Sequence, residues 1–446
     1  MTTPIPTTPA VTDRFPVEVF DAVFDFVRLE DERAHNDKRS LFACSRVSRA
    51  WHSLTLRHRF HSVSLFARTG NPHEQRVRKN CFLQDFLESA LFPTVQCHIQ
   101  KLTLRWGIAD LDPYIGADLP GFLASFPALR ALKLRGLLGR ALPAPSSAPA
   151  PPPRPRRALD TLALEGWVCH GRAHDPRAFL GLLRAFSALG ELHLEDLAQW
   201  APADDCDPAG EDYPAVSALV LRDSACPHPV CGVLEAAEAH ARPLRRLDVR
   251  ALGGGDARGE GLLVSFARSI EDLKCTVAAG PDAAAAATLP PYDFAPLAHL
   301  RTLTVAAEVP LTRVRARSLA GADADADADK GAPWARLAGA LRTLHARARG
   351  APLKLLHVQL APARALADKA QTGAALCEAL RRGGAGVRAL EDVLLGLVGE
   401  RCVQLVQVGV YAAPAASGLG EGCREPCGEF VVGLFPRLRQ AGVLRV

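Results

Sequence analysis

The chain has 446 residues, 48% of them hydrophobic, and a net charge of +5 from 53 basic and 48 acidic side chains. That apolar fraction excludes a disordered chain, and the near balance of charge argues against a nucleic-acid-binding protein. No stretch approaches the ~18 uninterrupted apolar residues of a membrane span. The opening residues MTTPIPTTPA have neither the basic nor the apolar region of a signal peptide, so the sequence predicts a cytoplasmic or nuclear protein with no membrane partner. Its twelve cysteines are scattered without framework spacing, as free thiols are in that compartment.

Residues 1–12 read as a disordered tail and residues 13–65 as a helical module. Asp13 offers an N-cap, and Pro16 stands in a first helical turn, where proline is tolerated. Val19, Phe20, Val23, Phe24 and Val27 form an apolar helical face. Leu41, Cys44, Val47, Ala50 and Trp51 suggest a second helix, and Leu54 begins a third. Between the first two, Arg28 to Arg39 (RLEDERAHNDKR) reads as a long charged link. A module of ~50 residues cannot bury faces this apolar alone, so it needs a partner. FHSVSL, from Phe60 to Leu65, reads as the first strand.

The order Phe15-Pro16-x-Glu18-Val19, then Phe24, then Ser40-Leu41, then Cys44-Ser45-Arg46-Val47-Ser48-Arg49-Ala50-Trp51 resembles an F-box. That family reads Leu-Pro-x-Glu-aliphatic at its start and Val-Ser/Cys-Arg-x-Trp near its end; Phe15 stands here in place of the leucine. The resemblance implies docking on the SKP-type adaptor of a cullin–RING ubiquitin ligase. Phe15, Pro16, Glu18, Val19, Phe24, Leu41, Val47 and Trp51 would then form or support the interface.

From residue 66 to 446 the chain repeats a short apolar-x-apolar motif. Its anchors are Leu102/Leu104, Leu132/Leu134, Leu162/Leu164, Leu192/Leu194, Leu219/Leu221, Leu247/Val249, Leu273/Cys275, Leu303/Val305 and Leu356/Val358. Successive first anchors are 30, 30, 30, 27, 28, 26, 30 and 53 residues apart. The long last interval has room for one degenerate repeat, with Leu341 and Leu344 as its remnant. Helical stripes lie between anchors, at Phe179, Leu182, Leu183 and Phe186 and at Leu262, Leu263 and Phe266. One strand and one helix per ~30 residues predicts an α/β solenoid with a curved parallel sheet. From about Val95 to Val358 the pattern resembles the irregular, long-repeat end of the leucine-rich-repeat family, although most copies lack the Asn or Cys expected after the second anchor. ALEDVLLGLV, Ala389 to Val398, and CVQLVQVGVY, Cys402 to Tyr411, read as further strand-like segments closing the array.

Two low-complexity stretches interrupt it: a Pro/Ala-rich loop over 141–157 and an Ala/Asp-rich loop over 320–332. Strand alternation turns Arg105, Lys133, Arg135, Ala163, Glu165, His193, Glu195, Val220, Arg222, Asp248 and Arg250 away from the anchors, onto a wall suited to an unidentified target protein. Trp106 and Trp167, just past their strands, are candidate contact anchors.

Catalytic and cofactor signatures do not emerge. Cys226-x-His228-x-x-Cys231 and Cys423-x₃-Cys427 lack a second pair at zinc spacing, and Asp323, Asp325 and Asp327 begin a calcium loop that Ala328 and Trp334 break. No nucleophile elbow or phosphate loop is present. The sequence therefore predicts a non-enzymatic adaptor without cofactors or metals. The alternatives are a scaffold in which the helices only cap the array, or a nucleic-acid binder using Arg105, Arg135, Arg222 and Arg250.

Overall fold

The computed structural model describes residues 16–33, 38–66, 83–105, 119–136, 156–166, 176–195, 213–222, 234, 243–249, 263–277, 293–309, 332–346, 352–362, 369–410 and 432–445. Phe15, Trp106, Trp167, Arg250, the tail, most of both low-complexity stretches, and the Cys226, Cys423 and Asp323 groupings lie outside these residues. The chain divides into two compact units, Met1–Ser187 and Ala188–Val446.

The first unit opens with three helices, α1 (Val17–Arg33), α2 (Arg39–Cys44) and α3 (Arg49–Arg59). Phe20, Phe24 and Leu41 are buried between them, with Val27, Cys44, Trp51 and Leu54 packed around the edge. The Trp51 ring meets Phe20 edge-on at 5.9 Å and Phe24 at 5.3 Å between centroids. Two sequence expectations are corrected here. The charged link is largely helix: Arg28 bonds Asp25 and Glu32, at i−3 and i+4, and this spacing extends α1 to Arg33. The expected second helix is two, because Ser48 adopts an extended backbone and its Oγ accepts from Trp51 N at 3.2 Å, an N-cap that starts a new helix.

Four parallel strands follow in chain order: β1 (Ser62–Phe66), β2 (Lys101–Arg105), β3 (Ala131–Arg135) and β4 (Arg157–Glu165). Their anchors are in register, Val63 to Leu102 to Leu132 to Leu162 and Leu65 to Leu104 to Leu134 to Leu164. Leu102, Leu104, Leu132, Leu134, Leu162 and Leu164 are almost wholly buried. Burying each such side chain contributes about 1.5–3 kcal/mol. Helices α4 (Leu83–Leu87), α5 (Phe92–Val95) and α6 (Leu119–Ala124) lie between strands. The end of α6 is held from a distance, since the Arg157 guanidinium donates to the carbonyls of Leu123, Phe126, Pro127 and Leu129. Arg157 is thus the first residue of β4 and not the end of the Pro/Ala-rich loop.

Helix α7 (Pro176–Arg184) buries Phe179, Leu182 and Leu183, while Phe186 starts the next strand and does not extend the helical stripe. The second unit carries eight parallel strands in chain order: β5 (Phe186–Glu195, which begins just before the boundary), β6 (Ala215–Arg222), β7 (Arg246–Val249), β8 (Asp272–Val277), β9 (Thr302–Val309), β10 (Leu355–Pro362), β11 (Val406–Val410) and β12 (Leu444–Arg445). One register runs through Leu192, Leu219, Leu247, Leu273, Leu303, Leu356, Val406 and Leu444.

Three further expectations change. Leu303 pairs directly with Leu356, and Leu341 and Leu344 lie in helix α8 (Ala332–Ala346), so they are no remnant strand. After α9 (Lys369–Arg382), the segment 389–398 is helical, inside α10 (Gly384–Gly399). Val387, Leu390, Leu394 and Leu397 are buried at helical spacing, a period that overrides apolar content. In α11 (Pro436–Gln440) the first backbone donors, Arg437 N and Leu438 N, are taken by the buried Glu391 carboxylate of α10.

Two outcomes test this packing. Trp334 lies over Gly383 and Gly386, and a Cβ on Gly386 would stand 2.7 Å from its side chain, so Gly386→Ala is expected to cost about 1–3 kcal/mol by overpacking in denaturant unfolding. Burial, with Arg28 and Lys101 nearby, pushes His61 from 6.5 down to about 4. Between these values the unfolded chain binds more protons than the folded one, so stability falls as pH drops from about 6.5 toward 4. His61→Gln should flatten that part of the pH profile of the unfolding midpoint.

Candidate functional site

Helix α1 has apolar residues on two sides. Phe20 and Phe24 point into the module, whereas Val19, Ala22, Val23, Phe26 and Leu29 are exposed, Phe26 by 64%. At 100° per residue these five fall within an arc of about 120°. Phe42 and Val47 add exposed apolar surface on α2 and the turn after it, Val47 at 65% exposure. The Arg59 guanidinium lies 4.1 Å from the Phe42 ring centroid. Large apolar side chains grouped on a module's outside mark an interaction surface.

Charged groups hold the helices that carry this surface. Asp31, at the inner end of α1, is buried and accepts from Ser40 N, Ser40 Oγ (2.7 Å) and Leu41 N, so it caps α2 across the interhelical link. Lys38 has a left-handed backbone (φ 63°), and its ammonium donates to the carbonyls of Arg59 and Ser62, joining the start of α2 to the end of α3 and to β1. Burial pushes that ammonium below the usual lysine range. His58 of α3 is buried with its two ring nitrogens 3.3 Å from Asp25 and 3.4 Å from Asp21, both on α1.

The residues that the F-box resemblance selects therefore separate into two groups. Pro16, Glu18, Val19 and Val47 are exposed; Phe24 and Leu41 are wholly buried, and Trp51 is half-buried against Phe20 and Phe24. The second group holds the module together, with Trp51 alone of the three partly exposed. Phe26, Leu29 and Phe42, outside the motif, belong with the exposed group, and for Phe26 the i+7 spacing from Val19 is the signal that was there to read.

The residues between the anchors form a further surface on each unit. In the first unit Thr103, Lys133 and Ala163 share one register line, and Arg105, Arg135 and Glu165 the next. Glu165 takes both Lys133 and Arg135, the latter at 2.6 Å. In the second unit His193 and Arg246 meet Glu191 at 2.9 and 3.2 Å, Arg222 lies 3.7 Å from Glu195, and Lys274 lies 3.8 Å from Asp248. Lys133, Arg135, Arg222 and Lys274 thus meet carboxylates of the adjacent strand, His193 meets one of its own strand, and Arg246 reaches Glu191 two strands away. Such pairs contribute 0–1 kcal/mol each when exposed, so they fix side-chain positions more than stability.

Three positions depart from the predicted alternation: Ala163, Val220 and Asp248 are buried. Asp248, 5% exposed, sits between Val220 and Lys274 in the register, with the Lys274 ammonium 3.8 Å from its carboxylate. It is therefore unavailable to a target, unlike Arg105 and Arg135, which are exposed. The adjacent Cys275 thiol is buried and pushed up to about 12, which makes it unreactive.

No protein-family model matches the chain. No curated protein matches it in sequence. Among the described residues, no helix is long and apolar enough to cross a membrane.

Asp31→Ala would leave three donors at the start of α2 without their acceptor. A loss of about 1.5–3 kcal/mol is expected in chemical denaturation, with Asp31→Asn recovering part of it.

Proposed function

We propose that the chain is a substrate-recognition adaptor of an SKP–cullin–F-box-type E3 ubiquitin ligase, acting in the cytoplasm or nucleus and performing no chemistry itself. Its helical module is F-box-like and docks on the SKP-type adaptor. Its strands and helices form a leucine-rich-repeat-like solenoid that presents a target protein to the cullin–RING ligase.

The observation that carries this reading is the second apolar face of α1, Val19, Val23, Phe26 and Leu29, left exposed on a module whose core is already closed by Phe20, Phe24, Leu41 and Trp51. A free-standing cap needs one apolar face; a docking module needs two. The target-facing residues in this reading are Arg105, Lys133, Arg135 and Glu165 in the first unit and, in the second, His193, Glu195 and Arg222. Their paired charges favour a partner of alternating charge over a polyanion.

A scaffold reading has one observation in its favour. Lys38 ties α2 and α3 to Ser62 of β1, so the helices also cap the first strand.

The two readings separate in a pull-down. Wild-type chain should co-purify with an SKP-type adaptor, and Val19→Glu/Phe26→Glu should weaken that binding at least ~tenfold, since loss of one buried apolar anchor costs 1.4 kcal/mol or more. The circular dichroism spectrum should be unchanged, because both side chains are exposed. Absence of binding by the wild type, or unaltered binding by this variant, overturns the ligase reading.

A further inference from the structure

The end of α8, the turn after α10 and the approach to β11 bring together an imidazole, a carboxylate and a thiol. His345, Glu400 and Cys402 place one donor atom each within 4.8 Å of one another, the one such His/Cys/Asp/Glu group among the described residues. His345 Nδ1 lies 2.6 Å from Glu400 Oε2. The partners are 55 residues apart in the chain, so a search for short ligand spacings passes over them.

Three features preorganise the trio. The backbone that carries Glu400 and Cys402 is tied on every side: Glu400 N donates to Gly396 O, Arg401 N to Val398 O and Cys402 N to Leu397 O, while Cys402 O accepts from Leu353 N at 2.9 Å. This is a helix C-cap of the Schellman type, and its left-handed position, usually glycine, is here Arg401 at φ 58°. The imidazole is seated on α10 through Gly396, where an added Cβ would meet His345 Cε1 at 3.4 Å and Nε2 at 3.7 Å. Nε2 is thus turned to the helix, and Nδ1 is the nitrogen that faces the other donors.

We propose that His345, Glu400 and Cys402 bind a divalent transition-metal ion of borderline softness, Zn²⁺ by preference, with water completing the coordination. Mixed nitrogen, oxygen and sulfur donors suit Zn²⁺ and exclude the hard cations Mg²⁺ and Ca²⁺. An ion ~2.0–2.3 Å from each donor needs donors about 3–4 Å apart. His345 Nδ1 and Glu400 Oε2 stand closer than that, at 2.6 Å, no pair of the three donors is more than 4.8 Å apart, and the Glu400 side chain, 61% exposed, can move to open the space. Binding releases the thiol proton of Cys402 to solvent, while the neutral imidazole coordinates through Nδ1 and carries its one proton on Nε2. The ion then clamps the end of α8 to the turn that leads into β11.

Titration of the full chain with Co²⁺ alone tests this. The wild type should develop thiolate-to-cobalt charge-transfer absorption, and zinc should displace the cobalt. His345→Ala and Cys402→Ser should each remove one equivalent of bound cobalt, and Cys402→Ser the charge-transfer band of that site. Equal stoichiometry in wild type and in both single variants, or no cobalt bound by the folded wild type, overturns the site. Comparing variants with wild type separates it from any metal held by the chain's other cysteines and histidines.

Discussion

Parallel strand pairing governs this molecule. Two parallel neighbours cannot be joined by a tight turn, so after each strand the chain must travel back to the same height before it can pair again. The structure meets that demand by returning the same two apolar positions to the same register: Leu102, Leu132 and Leu162 in the first unit, Leu219, Leu247, Leu273 and Leu303 in the second. A slip of one residue would turn both anchors of a strand outward and charged neighbours such as Arg135 inward. The positions of the strand-borne charges follow from that register.

Returning the chain so often creates many short helices, and a short helix is mostly ends. Backbone donors and acceptors at those ends have no partner within the helix. Here charged side chains from other elements supply them, with signs that suit the helix dipole. Asp31 and Glu391 lie at helix N-termini, and Arg157 gathers the carbonyls past the end of α6. Each is buried or half-buried, so its loss would expose several unmet backbone groups at once.

This division explains what could be read from the residues alone. The anchors were legible because register writes itself as spacing, and β1 and β11 were legible because their apolar residues alternate. Segment 389–398 was misread because apolar content was weighed without its period, which Leu390, Leu394 and Leu397 declare as helical. In α1 the sequence shows apolar residues around much of the helix; which of them are covered depends on where Leu41 and Trp51 arrive, and that is a tertiary matter. The same holds for Asp248, which lies between two other strands, for Asp31, whose partners lie across the interhelical link, and for His345, whose partner is 55 residues along the chain.

Anchors 53 residues apart pair as directly as anchors 26 residues apart. Closing a loop twice as long adds only ~0.6 kcal/mol of entropy, so the row of strands is nearly indifferent to what lies between its members. New sequence can therefore accumulate in the intervals while the strands keep their neighbours. Over evolutionary time such a chain is free to lengthen and diversify in those intervals with the same row of paired strands intact.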